Sequence, residues 1–386
     1  MFARQRVRVL AVYFGLALLA ALPGCGKPAA PPAGGETPAS GGAPAASTGT
    51  KRIVILTNGP DPFWDTCEAG AKAAERDLKL KEAGFVVDFQ RGDFTDKKQI
   101  DMLKQYSLAP DIVAVGISVF GPENRNLIEE MRKLQTKGVK VVTIDGDVSR
   151  EKYRDARFAY LGTDNIIGGR ELGRAARALS PDGANFAFFV GNVGAANAKE
   201  RMAGFVEGAG AGFTEISRLD DGGDRAKARS NVEATLDQHS ECNMLVGIWA
   251  YNTPQIVSVV RDREIRANQK VLCFDAAEAS IREMGEGNVD VMVVQNPFQM
   301  GYDGVKLLLA LVQDDKPVIS AMYPNYAQEG TGDIYSTELR VVVPDNGSVT
   351  PEQASPINPE MFDPNTKFFR HSEFLDWLKE RGLSSS

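Results

Sequence analysis

The run Lys140-Val141-Val142-Thr143-Ile144-Asp145 returns at an interval of 130 residues as Lys270-Val271-Leu272-Cys273-Phe274-Asp275. Both begin with lysine, continue through four apolar or β-branched residues and close on aspartate. Short runs of this kind, bounded by charge, suit the middle of a parallel sheet whose two faces are covered. In open α/β sheets the binding crevice lies outside the carboxyl ends of the strands. The repeated pattern therefore predicts two similar domains, each offering one carboxylate to a ligand held between them.

The remainder of the chain supports that division. Strand candidates begin near Arg52, Gly84, Asp111 and Lys140, and again near Ala184, Phe213, Asn243 and Lys270. The interval of roughly thirty residues is the size of a βαβ unit. Amphipathic stripes lie between them, with Phe63, Cys67, Ala71, Ala74 and Leu78 on one helix and Leu127, Met131 and Leu134 on another. A strand followed by a helix capped by Asp164 links the halves. Beyond Asp275 come a strand at Val291 to Gln295, a helix from Phe298 to Val312, and a strand at Ile334 to Val343. The expectation is an α/β chain of two Rossmann-like, doubly wound lobes joined by a three-strand hinge.

Composition narrows the function. A chain of 386 residues with 43% hydrophobic residues can bury more than one core. A net charge of −7 and no basic run in the globular part argue against a nucleic-acid partner. Two histidines, His239 and His371, leave little for a metal site or a catalytic triad. No HExxH, GxSxG or GxxxxGK motif is present, so neither cofactor nor metal is expected, and the chain reads as a binder and not an enzyme. The glycines at 208, 210 and 212 close a helical pattern and read as a helix end and turn. Cys67, Cys242 and Cys273 read as buried free thiols, with a Cys242–Cys273 bridge disfavoured by register.

The first residues read as an address. Three arginines lie within residues 1–8, followed by an apolar run from Val9 to Leu22 that is short for a membrane span. Leu22-Pro23-Gly24-Cys25 resembles the lipobox of bacterial lipoproteins, with Pro23 as its departure. That resemblance implies a signal peptide over 1–24 and lipid on Cys25, giving a membrane anchor. Residues 25–50, mostly Ala, Pro, Gly, Ser and Thr, read as a tether with a reach of roughly 30 Å as a flexible coil.

An ordered set of motifs runs through the globular part: Asp61-Pro62-Phe63-Trp64; the Asp145 strand end; Gly162, Asp164 and Asn165 with Gly168 and Gly169; Asn197 and Arg201 with Gly204 and Phe205; Phe274-Asp275; and Gln295-Asn296-Pro297 with Gly301. Over residues 51–343 the chain thereby resembles ribose-type (type I) periplasmic sugar-binding proteins, the solute-binding components of ABC importers. The resemblance implies lobe one over 51–163 and 296–336 and lobe two over 164–295 and 337–350. Residues 351–386 lie outside it as an extension with one terminal helix.

Ten residues are candidates for ligand contact. Asp61 reads both as a helix cap before Pro62 and as a ligand group. Phe63 and Trp64 are consecutive, so one should face the core and the other the crevice, where a ring can stack on a sugar. Asp145 and Asp275 end their strands on the cleft side. Asn197 and Arg201 open a helix after a Gly-rich turn, with Lys199 as the other possible cation. Trp249 and Asn252 follow a strand, and Gln295 ends one. Where many relatives place an arginine after the first strand-end aspartate, this chain has Gly146-Asp147.

Ionised carboxylates accept hydrogen bonds and cannot donate them, so the set calls for a ligand rich in donors. A small neutral sugar or polyol fits, and the resemblance implies that a monomer captures it and passes it to an ABC permease and ATPase complex. The alternatives are a receptor reporting to a membrane signalling partner and, further off, a carboxylate-based enzyme. A repressor with the same core would need a DNA-binding helix-turn-helix where this chain carries its signal.

Overall fold

The computed structural model describes residues 49–345 and 356–386. The expected signal peptide 1–24, Cys25 and nearly all of the tether 25–50 lie outside the described residues, as does the presumed junction around residue 350.

Residues 51–144 fold as alternating β-strands and α-helices, β1 (Lys51–Leu56), α1 (Phe63–Asp77), β2 (Phe85–Gln90), α2 (Asp96–Tyr106), β3 (Ile112–Ile117), α3 (Arg125–Thr136) and β4 (Lys140–Ile144), and a further strand, β5 (Tyr160–Gly162), follows β4 with no α-helix between them. The next stretch repeats the scheme with α4 (Asn165–Leu179), β6 (Ala184–Val190), α5 (Ala196–Ala209), β7 (Phe213–Asp220), α6 (Arg225–Gln238), β8 (Met244–Gly247), α7 (Asn252–Asp262), β9 (Lys270–Phe274), α8 (Glu278–Gly285) and β10 (Val291–Val294). Then follow α9 (Pro297–Gln313), α10 (Lys316–Met322), β11 (Ile334–Ser336), β12 (Arg340–Val343), β13 (Lys367–Arg370) and α11 (His371–Glu380).

The strands form two sheets. One has the order β11-β5-β4-β3-β1-β2 with every pairing parallel; the other has the order β13-β12-β10-β9-β8-β6-β7, in which only the β10–β12 pairing is antiparallel. Reading β2-β1-β3-β4-β5 against β7-β6-β8-β9-β10 shows the same winding twice, which makes β4 and β9 equivalent and puts the two aspartates in equivalent places.

Side-chain alternation explains why each sheet is covered on both faces. Along β1, Ile53 and Ile55 enter the core shared with α1 and α9, while Val54 and Leu56 enter the core under α2 and α3. Along β6, Phe186 and Phe188 face α4 and α5, and Ala187 and Phe189 face α7 and α8. Backbone contact replaces side chains where α4 crosses α5. A Cβ on Gly169 would lie 2.1 Å from the Arg201 carbonyl oxygen, and one on Gly204 would lie 2.2 Å from that of Ile166. The glycine run closes α5 as the sequence predicts: Gly210 and Gly212 have φ of 75° and 94°.

The chain passes between the sheets at Thr163–Asp164, at Gln295–Asn296 and at Thr337–Leu339. The last passage corrects one expectation. The single strand expected over Ile334 to Val343 is two strands in two different sheets, because Thr337 donates to the Gly162 carbonyl and Glu338 to Gln299 as the chain crosses. β-propensity continues through the crossing and hides it. A second difference is β13, which joins the edge of the second sheet beside β12 and delivers α11 onto the core under Phe374 and Leu378.

Candidate functional site

The carboxyl ends of both sheets converge on one cavity. Lobe one contributes Asn58, Asp61, Phe63, Trp64, Phe94 and Asp145, and lobe two Asn197, Arg201, Trp249, Ala250, Tyr251 and Asp275, with Gln295 at a crossing. Nine of the ten sequence candidates are therefore brought to one place.

Asp145 and Asp275 follow β4 and β9 directly, both nearly fully buried, and both adopt left-handed backbone with φ of 63° and 70°. Only residues that tolerate that region sit there at low cost, and aspartate is among the better of the non-glycine residues. The bend turns each carboxylate off the sheet and into the cavity. Arg201 stands between them on α5: its Nη1 donates to Asp275 Oδ2 at 3.3 Å and its Nη2 lies 3.8 Å from Asp145 Oδ1. The guanidinium is held from behind. Nε donates to Asn165 at 2.9 Å, Nη1 to the Ile248 carbonyl at 3.0 Å, and the charge centre lies 4.0 Å from the Phe274 ring centroid. Asn197 is one helical turn earlier on the same face. Lys199 is exposed, so the cation of this site is Arg201.

Burial, more than anything else, sets the charge state of the carboxylates. It pushes Asp145 up to about 7, with Arg201 opposing and Asp275 reinforcing the rise. Asp275 and Asp61 are also raised, again mainly by burial. Gln295 donates to Asp275 Oδ1 at 2.7 Å, and Ser118 lies 3.5 Å from Asp145 Oδ2.

The polar atoms left over matter most. Asp145 Oδ1, Asn197 Oδ1, Gln295 Oε1, Arg201 Nη2 and Trp249 Nε1 are buried without a hydrogen-bond partner, and all five belong to residues lining this cavity. Leaving such atoms unpaired costs about 1–3 kcal/mol each. Three acceptors and two donors around one space can engage a molecule that both donates and accepts, as a hydroxyl does.

Aromatic rings complete the walls. Phe63 and Trp64 pack edge to face at 4.9 Å, and both are buried and both line the cavity. The expected division of labour between them therefore does not hold. They sit in the first turn of α1, whose end abuts the cavity as well as the core, so neither must turn away. Trp64 Nε1 donates to Asn58 at 3.0 Å. Asp61 accepts from the Phe63 amide at 2.9 Å and so steadies the helix start while it faces the cavity.

Asn252 is the candidate that the structure does not bring to the cavity wall. Its side chain accepts from the Trp249 amide at 3.1 Å and donates to Asp221 at 2.8 Å, fixing the turn that presents Trp249 and Tyr251. Tyr251 also donates to Asp221. Asp147 is equally remote. It is buried against Arg157, Arg150 and Thr143, and the first of these holds its carboxyl below the usual carboxylate range against the cost of burial.

Asn58, Phe94 and Tyr251 are lining residues that the sequence reading missed. Phe94 lies in a loop with φ of 60° and carries no periodic signal; Tyr251 adjoins Trp249 and was within reach of the same argument. Among the described residues there is no group of His, Cys, Asp or Glu side chains able to hold a metal ion. The three described cysteines are free and buried.

Comparison with known proteins places this geometry. The chain is 22% identical over 277 residues to the ribose import binding protein RbsB of Escherichia coli, covering 70% of this chain and 87% of that one. A D-ribose/D-allose-binding protein of Pseudomonas aeruginosa is 22% identical over 270 residues, 68% of this chain and 82% of the relative. Among solved structures, an ABC transporter solute-binding protein from Burkholderia graminis in complex with D-arabinose superposes with a TM-score of 0.65 at 24% identity, covering 79% of this chain and 99% of that one. The periplasmic binding protein domain model matches residues 52–316. The chain belongs to the periplasmic binding protein domain family.

Proposed function

We propose that this protein captures a neutral monosaccharide or polyol between its two lobes and hands it to an ABC importer from the outer face of a bacterial membrane, held there by lipid on Cys25. The five unpaired polar atoms around a single aromatic-walled cavity carry the reading. A pyranose or furanose presents hydroxyl donors to Asp145, Asn197 and Gln295 and oxygen acceptors to Arg201 and Trp249, while its C–H faces meet the rings of Phe63, Trp64 and Trp249.

Charge selects against anions. Three lining carboxylates face one guanidinium, so a sugar phosphate meets net repulsion while a neutral hydroxylated ring does not. Closing the lobes strips water from each group, and a hydroxyl that fails to match leaves a buried carboxylate unpaired, which makes the site sensitive to hydroxyl pattern. The names of the relatives, which refer to ribose, allose and arabinose, support the same class. The anchor and tether rest on residues 22–50 of the sequence.

A thermal-shift series tests the reading with D-ribose, D-arabinose, D-allose and D-glucose beside D-ribose 5-phosphate. A ligand that binds only the folded form stabilises it by about 2.7 kcal/mol at a hundredfold excess over Kd. At least one neutral sugar is expected to raise the midpoint and the phosphate to leave it unchanged. A rise with the phosphate alone overturns the assignment.

A further inference from the structure

The last residues of the sequence, Gly382 to Ser386, look like a solvent tail and are not one. Ser385 and Ser386 are buried, at 7% and 2% exposure. Ser386 and Ala276 exchange both backbone hydrogen bonds, at 2.9 and 3.1 Å. Ala276 is the residue after Asp275. The Ser386 hydroxyl donates to the carbonyl of Gln295 at 3.0 Å, so the same serine reaches the backbone of Gln295, which lines the cavity, and of the residue next to Asp275, which lines it too. Leu383 packs into the core beneath α11. All of these contacts lie on lobe two.

One contact lies on the other lobe. Thr66 of α1 is 3% exposed, and its hydroxyl donates to the Ser385 carbonyl at 3.0 Å across 319 positions of sequence. The lobes are closed here, with Arg150 on one side 3.0 Å from Glu200 on the other and Arg201 reaching toward Asp145. The Thr66–Ser385 bond is a further polar tie across the same gap. The segment also borders an outer cleft together with Asp61, Phe63 and Tyr251, which line the inner cavity as well, and so it stands beside the way in.

We propose that residues 383–386 form a strap that fastens lobe one to lobe two in the closed form and steadies Asp275 and Gln295 from outside the cavity. Closure then makes the Thr66–Ser385 bond and opening breaks it. A bound sugar leaves only after that bond has parted, so the strap acts mainly on dissociation. Thr66 does not line the cavity, which separates its effect from ligand contact.

The test compares Thr66→Val, which keeps the shape and removes the donor, with Thr66→Ser, which keeps the donor, and with a chain ended after Gly382. Nitroxides on Lys104→Cys in α2 and Asp237→Cys in α6, on a Cys25→Ser background, report lobe separation by pulsed electron resonance. In the absence of sugar, Thr66→Val and the shortened chain should shift the distance distribution outward, while Thr66→Ser matches the wild type. With D-ribose as probe, dissociation should be about three- to tenfold faster in Thr66→Val, as loss of one hydrogen bond implies. A Thr66→Val protein with wild-type distances and a wild-type rate overturns the strap. If the shortened chain fails to fold, Thr66→Val decides alone. The dissociation arm rests on the proposed ligand class; should D-ribose not bind the wild type, that class is what fails for this sugar, and the sugar-free distances still decide the strap.

Discussion

Asp145 and Asp275 leave equivalent strands of the two sheets with the same left-handed backbone turn, and Arg201 lies between their carboxylates. One carboxylate belongs to each lobe. On the proposed function a ligand between them is gripped from both sides, each side contributing a group that accepts from a hydroxyl.

Replacing either aspartate separates charge from shape. Asp145→Asn and Asp275→Asn should fold, since asparagine also tolerates the left-handed region. Each should bind sugar at least tenfold more weakly, because hydrogen bonds to charged groups contribute about 1.5–3 kcal/mol. Titration calorimetry beside thermal unfolding checks both halves of the statement. Asp275→Val, by contrast, should lose stability as well, because a β-branched residue resists a φ near 70°.

Burial of Asp145 predicts a pH dependence. Its folded value of about 7 lies above the ordinary carboxylate value near 4, so the folded protein holds the proton more tightly than the unfolded chain. The sugar-free protein should be stabilised fully below about pH 4 on this account and lose that contribution as pH rises to about 7. Asp145→Asn should flatten the slope. A hydroxyl donating to the carboxylate favours its ionised form, so sugar binding near pH 6.5 should release protons and tighten as pH rises. Calorimetry in buffers of different ionisation enthalpy measures that release.

Gly169→Ala tests how the helices set the site. The added methyl would meet the Arg201 carbonyl oxygen at 2.1 Å, so α4 and α5 must part. A loss of about 1–3 kcal/mol is expected. Because the displaced backbone carries Arg201, sugar affinity should fall too, whereas Gly138→Ala, with open space around it, should leave affinity alone.

The anchor is tested by Cys25→Ser. The variant should fold and bind sugar as the wild type does but appear in the soluble fraction, since the substitution removes the thiol that the proposed lipid anchor needs. Sedimentation with membranes in both proteins would remove the lipid claim.

Much of this was legible in the chain. The repeated strand with its closing aspartate gave the winding, and strand ends located Asp145, Asp275 and Gln295, because burial on both faces leaves a plain apolar signature. Loop residues such as Phe94 and Asn58 leave none. The split of Ile334 to Val343 between two sheets was hidden by continuous β-propensity. Ser385 and Ser386 have the composition of a solvated segment, and contacts with Thr66, Ala276 and Gln295, distant in sequence, bury them.

The three tryptophans offer the most direct test of where the sugar binds. Trp64 and Trp249 line the cavity from opposite lobes, while Trp377 lies between the guanidinium groups of Arg340 and Arg381, at 3.8 and 4.3 Å. Intrinsic emission should be titrated with the sugar of greatest thermal shift in the wild type and in Trp64→Phe, Trp249→Phe and Trp377→Phe. The account predicts a spectral shift that survives Trp377→Phe and is much reduced in each of the other two. A shift that disappears with Trp377 and persists without Trp64 and Trp249 would place the ligand outside the cavity and contradict the account.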